Sequence, residues 1–278
     1  MKTQPLIVAL LALLVSGHIA IAQDNDTGGR QRWKVGDAVR EGIVILPNKD
    51  EKDEKEGKDA GRPLVFGFHG HGGSAARAQK MFALHQHWPQ AIVVYLQGIE
   101  GVTSVRDPKG AKTGWQKSPG DLEDRDIKFF DAVLKDLKAK HKVDEKRIYV
   151  MGHSNGSRFV NLLWATHEET FAAVALSGSL ARGLLEGSKP LPVFAIAGEK
   201  DPIVPFADQV KSLDAIRKLL GTDAEKAKGE GIAKLEAGKD GLELGTFLHP
   251  GGHEWPSRAS ELIVKFFQRH TRKPQGTP

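Results

Sequence analysis

A serine that could act as a nucleophile lies at the centre of the pentapeptide Gly152-His153-Ser154-Asn155-Gly156. β-Forming residues precede it and an apolar-periodic run follows, which predicts a strand, a sharp turn and a helix. Such a turn forces the serine into a strained backbone conformation and exposes its hydroxyl at the edge of the sheet. The alternative is an ordinary glycine-bounded turn in which Ser154 caps the helix N-terminus.

An acid and a base follow the serine in the chain. Asp201 comes just after the apolar run 192–198, and His253 lies in a glycine-flanked loop after the alternating run 242–248. A serine hydroxyl is a weak nucleophile at neutral pH, so His253 would take its proton and Asp201 would orient the imidazole. Asp201 could instead be a simple turn residue, and His249 is the alternative base.

A glycine-rich turn provides candidate donors for an oxyanion. The apolar run 63–68 leads into His69-Gly70-His71-Gly72-Gly73, where small residues let the backbone approach a substrate carbonyl. We expect the backbone N–H groups of His71 and Asn155 to stabilise the oxyanion. His69 and His71 could also be a metal pair, but no third ligand follows at a suitable spacing. No Gly-Lys-Ser/Thr follows, as a phosphate-binding loop would require. We therefore predict neither a metal nor a cofactor.

Two tryptophans are candidates for contact with the substrate. Trp115 lies in the stretch 98–121, which is longer than most loops of compact domains, and loops of that length often line a site. The alternative for Trp115 is that it anchors the loop to the body of the protein. Trp255 follows closely after His253 and is the second predicted substrate-binding residue.

Apolar runs and amphipathic stretches alternate along the chain. Short apolar runs, typical of strands buried on both faces, occur at 63–68, 91–96, 148–150, 171–177 and 192–198. Helical periodicity is predicted at 75–87, 124–141, 159–167, 206–220 and 258–270. The segments 33–39 and 42–46 predict an edge hairpin, whereas 221–241 has no assignable pattern.

These elements predict the fold class α/β, and the order Ser154, Asp201, His253 is that of the α/β-hydrolase fold. We expect a mostly parallel central sheet with helices on both faces. Only about a dozen residues separate the runs 171–177 and 192–198. This predicts no large cap domain, and the resulting open cleft would admit bulky or polymeric substrates.

The N-terminal residues predict an exported protein. A lysine, an apolar run over 6–15 and the small-residue pattern Ala20-Ile21-Ala22 are typical of a secretory signal peptide. The predicted organisation is a signal peptide (1–22), a flexible leader (23–32), an α/β-hydrolase catalytic domain (33–272) and a C-terminal tail (273–278). The expected location is secreted or periplasmic, with no membrane contact after cleavage of the signal.

Composition limits the classes of function. The 278 residues are 40% hydrophobic and contain no cysteine, which excludes disulfides, thiol catalysis and a lipidated signal. The formal charge is only +5 and the lysines are interspersed with acids, including the alternating charge run 49–59. We therefore predict no nucleic-acid partner, and the oligomeric state stays open.

The segments PLVFGFHGHGGS, GHSNGS, EKDPIVPF and GGHEWP resemble those of secreted esterases grouped with polyhydroxybutyrate depolymerases and feruloyl or acetyl-xylan esterases. The resemblance covers residues 35–270. It implies a carboxylic-ester hydrolase in which Ser154, Asp201 and His253 are the catalytic triad and Gly70-His71 is the oxyanion turn. His71 stands where relatives often carry a cysteine. The expected partner is an ester substrate, either a polyester oligomer or an ester-decorated polysaccharide.

Two other classes of function remain open at the sequence level. An oligopeptidase-like serine peptidase shares the triad and differs only in the leaving group. A non-catalytic envelope protein that binds glycan or polymer could keep the same fold.

Overall fold

The computed structural model describes residues 28–47, 61–181, 183–229 and 233–272. The predicted signal peptide, the first part of the leader, the charge run 49–59 and the tail 273–278 lie outside these residues. The strands are β1 Gly28–Val35, β2 Ala38–Ile45, β3 Arg62–Phe68, β4 Ile92–Leu96, β5 Ile99–Glu100, β6 Thr113–Gly114, β7 Val143–His153, β8 Ala173–Ser177, β9 Val193–Gly198, β10 Ala233–Ala237 and β11 Glu243–His249. The helices are α1 Ala75–Phe82, α2 Leu84–His87, α3 Arg125–Lys140, α4 Asn155–Thr166, α5 Phe206–Leu220 and α6 Ala259–Gln268.

Nine strands form one sheet in the order β1-β2-β4-β3-β7-β8-β9-β11-β10. The six strands from β4 to β11 in this order are parallel to their neighbours, while β1, β2 and β10 pair antiparallel at the two edges. Parallel strands all end at the same edge of a sheet, so the loops after β3, β7, β9 and β11 meet there. This common edge carries every candidate catalytic residue.

Two hydrophobic clusters fill the space on the two faces of the sheet. Residues of α3, α4 and α5 pack on one face, and residues of α1, α2 and α6 pack on the other. Strand β3 shows the division, because Leu64, Phe66 and Phe68 point into the first cluster and Val65 points into the second. The predicted fold, a mostly parallel sheet with helices on both faces, is confirmed.

The N-terminal boundary of the domain differs from the prediction. The leader was expected to extend to residue 32, but β1 already begins at Gly28 and pairs with β2 from Gly28↔Ile45 to Val35↔Ala38. Polar residues of β1 alternate on its solvent side, where Arg30 and Arg32 form ion pairs with Glu41 across the hairpin. Because an edge strand buries only one face, the polar residues on its other face gave this segment the composition of a polar leader.

The unassigned segment 221–241 contains β10, which adds antiparallel to β11 as the opposite edge strand. The connection from β8 to β9 runs over 178–192, which is too short for an inserted domain and agrees with the expected lack of a large cap. Within the described ranges, no helix has both the length and the apolar character needed to cross a membrane.

Candidate active site

The turn between β7 and α4 is the tightest part of the candidate site. Ser154 has φ 56° and ψ −120°, a conformation that L-residues rarely adopt. Glycine is required on both sides, since a Cβ on Gly152 would lie 2.4 Å from the backbone of Gly156, and one on Gly156 would lie 2.2 Å from Phe68 O. Strand, turn and helix are thus in direct backbone contact, and Ser154 is held at the sheet edge.

The hydroxyl of Ser154 meets the imidazole of His253. Ser154 Oγ lies 2.8 Å from His253 Nε2, and its side chain forms no capping hydrogen bond with α4. His253 Nδ1 lies 2.7 Å from Asp201 Oδ2. Because a carboxylate oxygen only accepts, Nδ1 carries the proton and Nε2 is left to accept from the serine. The structure therefore brings the three predicted residues together in the order that proton transfer requires.

The carboxylate of Asp201 is nearly fully buried and fully hydrogen-bonded. Its Oδ1 accepts from the N–H groups of Ile203 and Val204, each at 2.8 Å. Its Oδ2 accepts from His253 and from Gln209 Nε2 at 3.1 Å. Burial acts to raise the pKa of Asp201, but the hydrogen bonds from His253 and from the two backbone N–H groups outweigh it and lower the pKa. The acid is therefore ionised at neutral pH. Asp201 is a turn residue that also contacts the His253 imidazole, and its catalytic role stays a prediction.

The alternative base, His249, lies at the end of β11 and is 6% exposed. Its Nδ1 accepts from Gly251 N at 3.2 Å, so the imidazole stabilises the turn that presents His253. Glu254 supports the same turn by accepting from Gly252 N at 2.7 Å. The preference for His253 over His249 agrees with this geometry.

The predicted oxyanion turn lies beside the serine. A Cβ on Gly70 would be 3.4 Å from Ser154 Cβ, so this glycine lies directly beside the Ser154 side chain. Within the described residues, the backbone N–H groups of His71 and Asn155 have no hydrogen-bond acceptor, and Asn155 is also the first residue of α4. Free N–H groups at a helix N-terminus favour a developing negative charge.

The imidazole of His71 is tied to the neighbouring loop. Its Nδ1 lies 3.1 Å from Thr103 Oγ1 and its Nε2 lies 3.5 Å from Asp107 Oδ2. Burial lowers the pKa of His71, which favours the neutral imidazole. The side chain is therefore engaged with the loop, and only the backbone N–H of His71 is available to a substrate oxyanion.

The His69 side chain has a structural role and does not contact His71 in the manner of a metal pair. Its Nε2 accepts from Gly98 N at 3.0 Å, which places the ring proton on Nδ1, 2.8 Å from Gly70 O. The ring thus ties the oxyanion turn to the strand-end loop after β4. No cluster of three or more potential metal ligands occurs among the residues that the structure describes.

The prediction that Trp115 faces the substrate is wrong. Its side chain is 0% exposed and its Nε1 donates to His69 O at 2.9 Å. The indole stacks on Phe159 at 5.4 Å and meets Phe68 edge-on at 5.2 Å. The long loop folds its one tryptophan inward, so Trp115 anchors the loop and supports the oxyanion turn from below.

This position gives a testable consequence. Replacing Trp115 with phenylalanine removes the hydrogen bond to His69 O and leaves a cavity, so we expect the free energy of unfolding to fall by about 2–3 kcal/mol. KM for a small soluble ester should stay unchanged, because the indole does not reach the cleft. Urea unfolding and steady-state kinetics measure the two quantities. A large rise in KM without loss of stability would contradict the anchoring role.

The Asn155 side chain clamps the same loop. Its Oδ1 accepts from Trp115 N at 2.8 Å, and its Nδ2 donates to Thr103 O at 3.1 Å and to Trp115 O at 3.0 Å. The carboxamide of Asn155 therefore holds the loop, and its backbone N–H, which is the predicted oxyanion donor, is left for other partners.

Trp255 lies close to the site, but its indole is half-buried. The ring packs on Phe82 at 4.7 Å and edge-on to His153 at 6.0 Å, and Nε1 donates to Ser260 Oγ at 3.1 Å. These contacts fix the loop that carries His253. Substrate binding by Trp255 stays a prediction.

Two buried histidines make the fold sensitive to acid. Burial lowers the pKa of His69 and of His153 from the ordinary value of 6.5 to about 4. Both are neutral in the native state, whereas the unfolded chain binds protons near pH 6.5. The contribution of these two neutral histidines to the free energy of unfolding is therefore fully present above pH 6.5. It is lost as pH falls toward 4, by about 3 kcal/mol for each histidine.

We expect the free energy of unfolding, measured in urea, to decline steadily between pH 6.5 and 4. In His153→Phe this decline should be less steep, because unfolding then takes up one proton fewer. The absolute stability of the variant is not the readout. Equal stability of the wild type at pH 7 and pH 4.5 would contradict the prediction.

Sequence reasoning missed the donor Gln209 and the clamping role of the Asn155 carboxamide. Gln209 is a polar residue on the buried side of an amphipathic helix that begins directly after the acid loop, with 3% exposure. A glutamine at an inward-facing position, one turn after a proline, was the feature of the sequence that could have indicated this donor.

The fold is that of an α/β-hydrolase. At the carboxyl edge of its sheet a serine is hydrogen-bonded to a histidine, and the histidine is hydrogen-bonded to an aspartate. Residues 91–225 match the model of the dienelactone hydrolase family. This stretch includes β4, the serine turn and the acid.

Two relatives of this chain carry the word esterase in their names. The candidate esterase NocK of Nocardia uniformis is 32% identical over 174 residues, which is 60% of this chain and 47% of NocK. A protein named as probable feruloyl esterase C, from Aspergillus clavatus, is 28% identical over 208 residues, 71% of this chain and 70% of that protein. This chain therefore spans about half the length of the first relative and about two thirds of the second.

Among solved structures, the acetyl xylan esterase from Aspergillus awamori aligns with a TM-score of 0.64 at 14% identity, covering 87% of this chain and 99% of that one. At that identity the match shows the shared fold alone. The family match and the relatives named feruloyl esterase confirm the predicted resemblance to esterases of this group.

Proposed function

We propose that this chain is a serine esterase that hydrolyses feruloyl or acetyl esters, including those carried by polysaccharides, through a Ser154–His253–Asp201 triad. The observation that carries the proposal is the pair of hydrogen bonds at 2.8 and 2.7 Å that joins the strained serine to the imidazole and the imidazole to the acid. The substrate class comes from the relatives named feruloyl esterase and from the fold shared with an acetyl xylan esterase.

The first half of the reaction forms an acyl-enzyme. Ser154 Oγ attacks the ester carbonyl carbon while His253 Nε2 takes the hydroxyl proton, and Asp201 stabilises the imidazolium. The oxygen of the tetrahedral intermediate accepts from the N–H groups of His71 and Asn155, each donor being worth about 3 kcal/mol of barrier. Collapse expels the alcohol, which receives the proton from His253.

The second half returns the enzyme to its starting state. Water attacks the acyl carbon with His253 as base, and the intermediate collapses to release the carboxylic acid and restore the Ser154 hydroxyl. The short β8–β9 connection supports a cleft without a large lid. An alcohol that is part of a polymer can therefore approach the serine.

The experiment is labelling and turnover on one preparation of the purified protein. We expect a fluorophosphonate to modify Ser154, identified by peptide mass spectrometry, and to block hydrolysis of p-nitrophenyl acetate, methyl ferulate and acetylated xylan. Feruloyl amide is the matched control for peptidase activity, and a hydroxybutyrate oligomer tests polyester cleavage. Faster cleavage of the amide would favour the oligopeptidase class, and inertness toward every ester and the probe would overturn the proposal.

The proposed location is outside the cytoplasm, either secreted or periplasmic. It rests on the predicted signal peptide of residues 1–22, which lies outside the described residues. Sequencing the N-terminus of protein recovered from the medium or the periplasm, with Gln23 expected first, tests it.

A further inference from the structure

The carboxamide of Gln209 joins the catalytic acid to the helix that follows it. Gln209 lies in the first turn of α5, and its side chain is 3% exposed. Its Nε2 donates to Asp201 Oδ2 at 3.1 Å and to Val204 O at 2.7 Å. The amide group thus contacts both the carboxylate of Asp201 and the backbone of the acid loop.

The two oxygens of Asp201 are held by different parts of the chain. Oδ1 accepts from two backbone N–H groups of its own loop, so the loop alone fixes that oxygen. Oδ2 accepts from His253, which lies on a different loop, and from Gln209. Gln209 is therefore the donor that keeps Oδ2 in place independently of the imidazole.

The orientation of this amide follows from its partners. Asp201 Oδ2 and Val204 O are both acceptors, so the NH₂ group must face them and both of its protons are used. The opposite orientation would place Oε1 against two oxygens. Gln209 also lines a small cavity between β9 and α5 together with Ser212, whose Oγ accepts from Ala181 N at 2.9 Å.

We propose that Gln209 is a positioning residue of the hydrolase, whose amide holds the Asp201 carboxylate where Oδ2 meets His253 Nδ1. The inference rests on the proposed function, since it concerns the acid of the same triad. Loss of the amide leaves Oδ2 with His253 as a single donor, so Oδ2 can shift while the loop still holds Oδ1.

The test compares Gln209→Leu and Gln209→Glu with Ser212→Ala, which alters the same cavity without contact to Asp201. For both Gln209 variants we expect kcat on p-nitrophenyl acetate to fall about 10- to 100-fold with KM within about threefold. Ser212→Ala should keep the rate of the wild type.

A second readout does not depend on turnover. The low-field proton NMR signal of His253 Nδ1–H reports the bond to Asp201, and we expect it to move upfield and to exchange faster with water in Gln209→Leu. Should the wild type hydrolyse no ester, the proposed function fails, and this signal alone still decides for or against the role of Gln209.

A folded Gln209→Leu protein with wild-type kcat and a wild-type Nδ1–H signal would overturn the proposal. Equal losses in Ser212→Ala and Gln209→Leu would overturn it as well, because packing of the cavity would then explain both. If Gln209→Leu does not fold, the nearly isosteric Gln209→Glu decides by the same rate and NMR criteria.

Discussion

Replacing Ser154 with alanine is expected to lower kcat/KM for an ester substrate by about 10⁴- to 10⁶-fold. The hydroxyl that His253 Nε2 meets at 2.8 Å is the only atom removed, so the oxyanion turn and the cleft stay in place. The residual rate should come from oxyanion stabilisation and binding alone. Steady-state kinetics with methyl ferulate, after removal of wild-type contamination by fluorophosphonate, measures the loss.

The strained backbone at Ser154 leads to a second prediction, which concerns the stability of the protein. Ser154 has a positive φ of 56°, which costs a residue with a Cβ about 1–2 kcal/mol and costs glycine far less. Ser154→Gly should therefore be inactive and yet unfold at a higher urea concentration than the wild type. Ser154→Ala keeps the strain and should show no such gain.

Ser188→Ala is the matched control, because Ser188 is a part-buried serine in the connection between β8 and β9 whose hydroxyl donates to Leu184 O at 3.5 Å. It should leave turnover unchanged. Retention of more than about a tenth of the activity in Ser154→Ala would show that another group is the nucleophile.

Local patterns were sufficient to predict that Ser154, Asp201 and His253 lie at one edge of the sheet. Each follows a strand of a parallel sheet, and strands of this type show as short apolar runs, so the carboxyl edge could be located from the sequence. Gly152 is required by a backbone contact within the motif, with Gly156, whereas Gly156 is required by the approach of Phe68 from a distant strand. The same reasoning gave the order of elements and the two helical layers.

The remaining features depend on contacts between distant parts of the chain. Trp115 has the loop context of a substrate-binding residue, yet it is buried because Phe68 and Phe159, far away in sequence, form its pocket. Gln209 acts on Asp201 only because the acid loop turns back onto the first turn of α5. The strand β1 was missed since an edge strand buries one face and its polar residues resemble a leader.

Asp201→Asn is expected to lower kcat/KM by about 10³- to 10⁴-fold while the variant remains folded. The reason lies in how the structure would orient the new amide. The N–H groups of Ile203 and Val204 both donate to Oδ1, so the carbonyl oxygen of the asparagine must occupy that position.

The NH₂ group then takes the place of Oδ2 and faces His253 Nδ1, which lies 2.7 Å from that site. A donor at this position requires Nδ1 to be unprotonated, so the imidazole proton moves to Nε2. Nε2 can then no longer accept the Ser154 proton, and the general base is lost although every side chain is present. The NH₂ group also opposes the amide of Gln209, which adds a donor–donor repulsion to the same site.

Kinetics of Asp201→Asn and of Asp208→Asn test this argument side by side. Asp208 lies in the first turn of α5 with an exposed carboxylate, so its conversion to asparagine changes the net charge equally without contact to the imidazole. We expect wild-type kcat/KM for Asp208→Asn and the full loss for Asp201→Asn. Because fluorophosphonate labelling needs the same base, its rate should fall in parallel with turnover. A loss of less than tenfold in Asp201→Asn would show that the imidazole keeps its tautomer without the acid, and that the hydrogen bond at Nδ1 is structural.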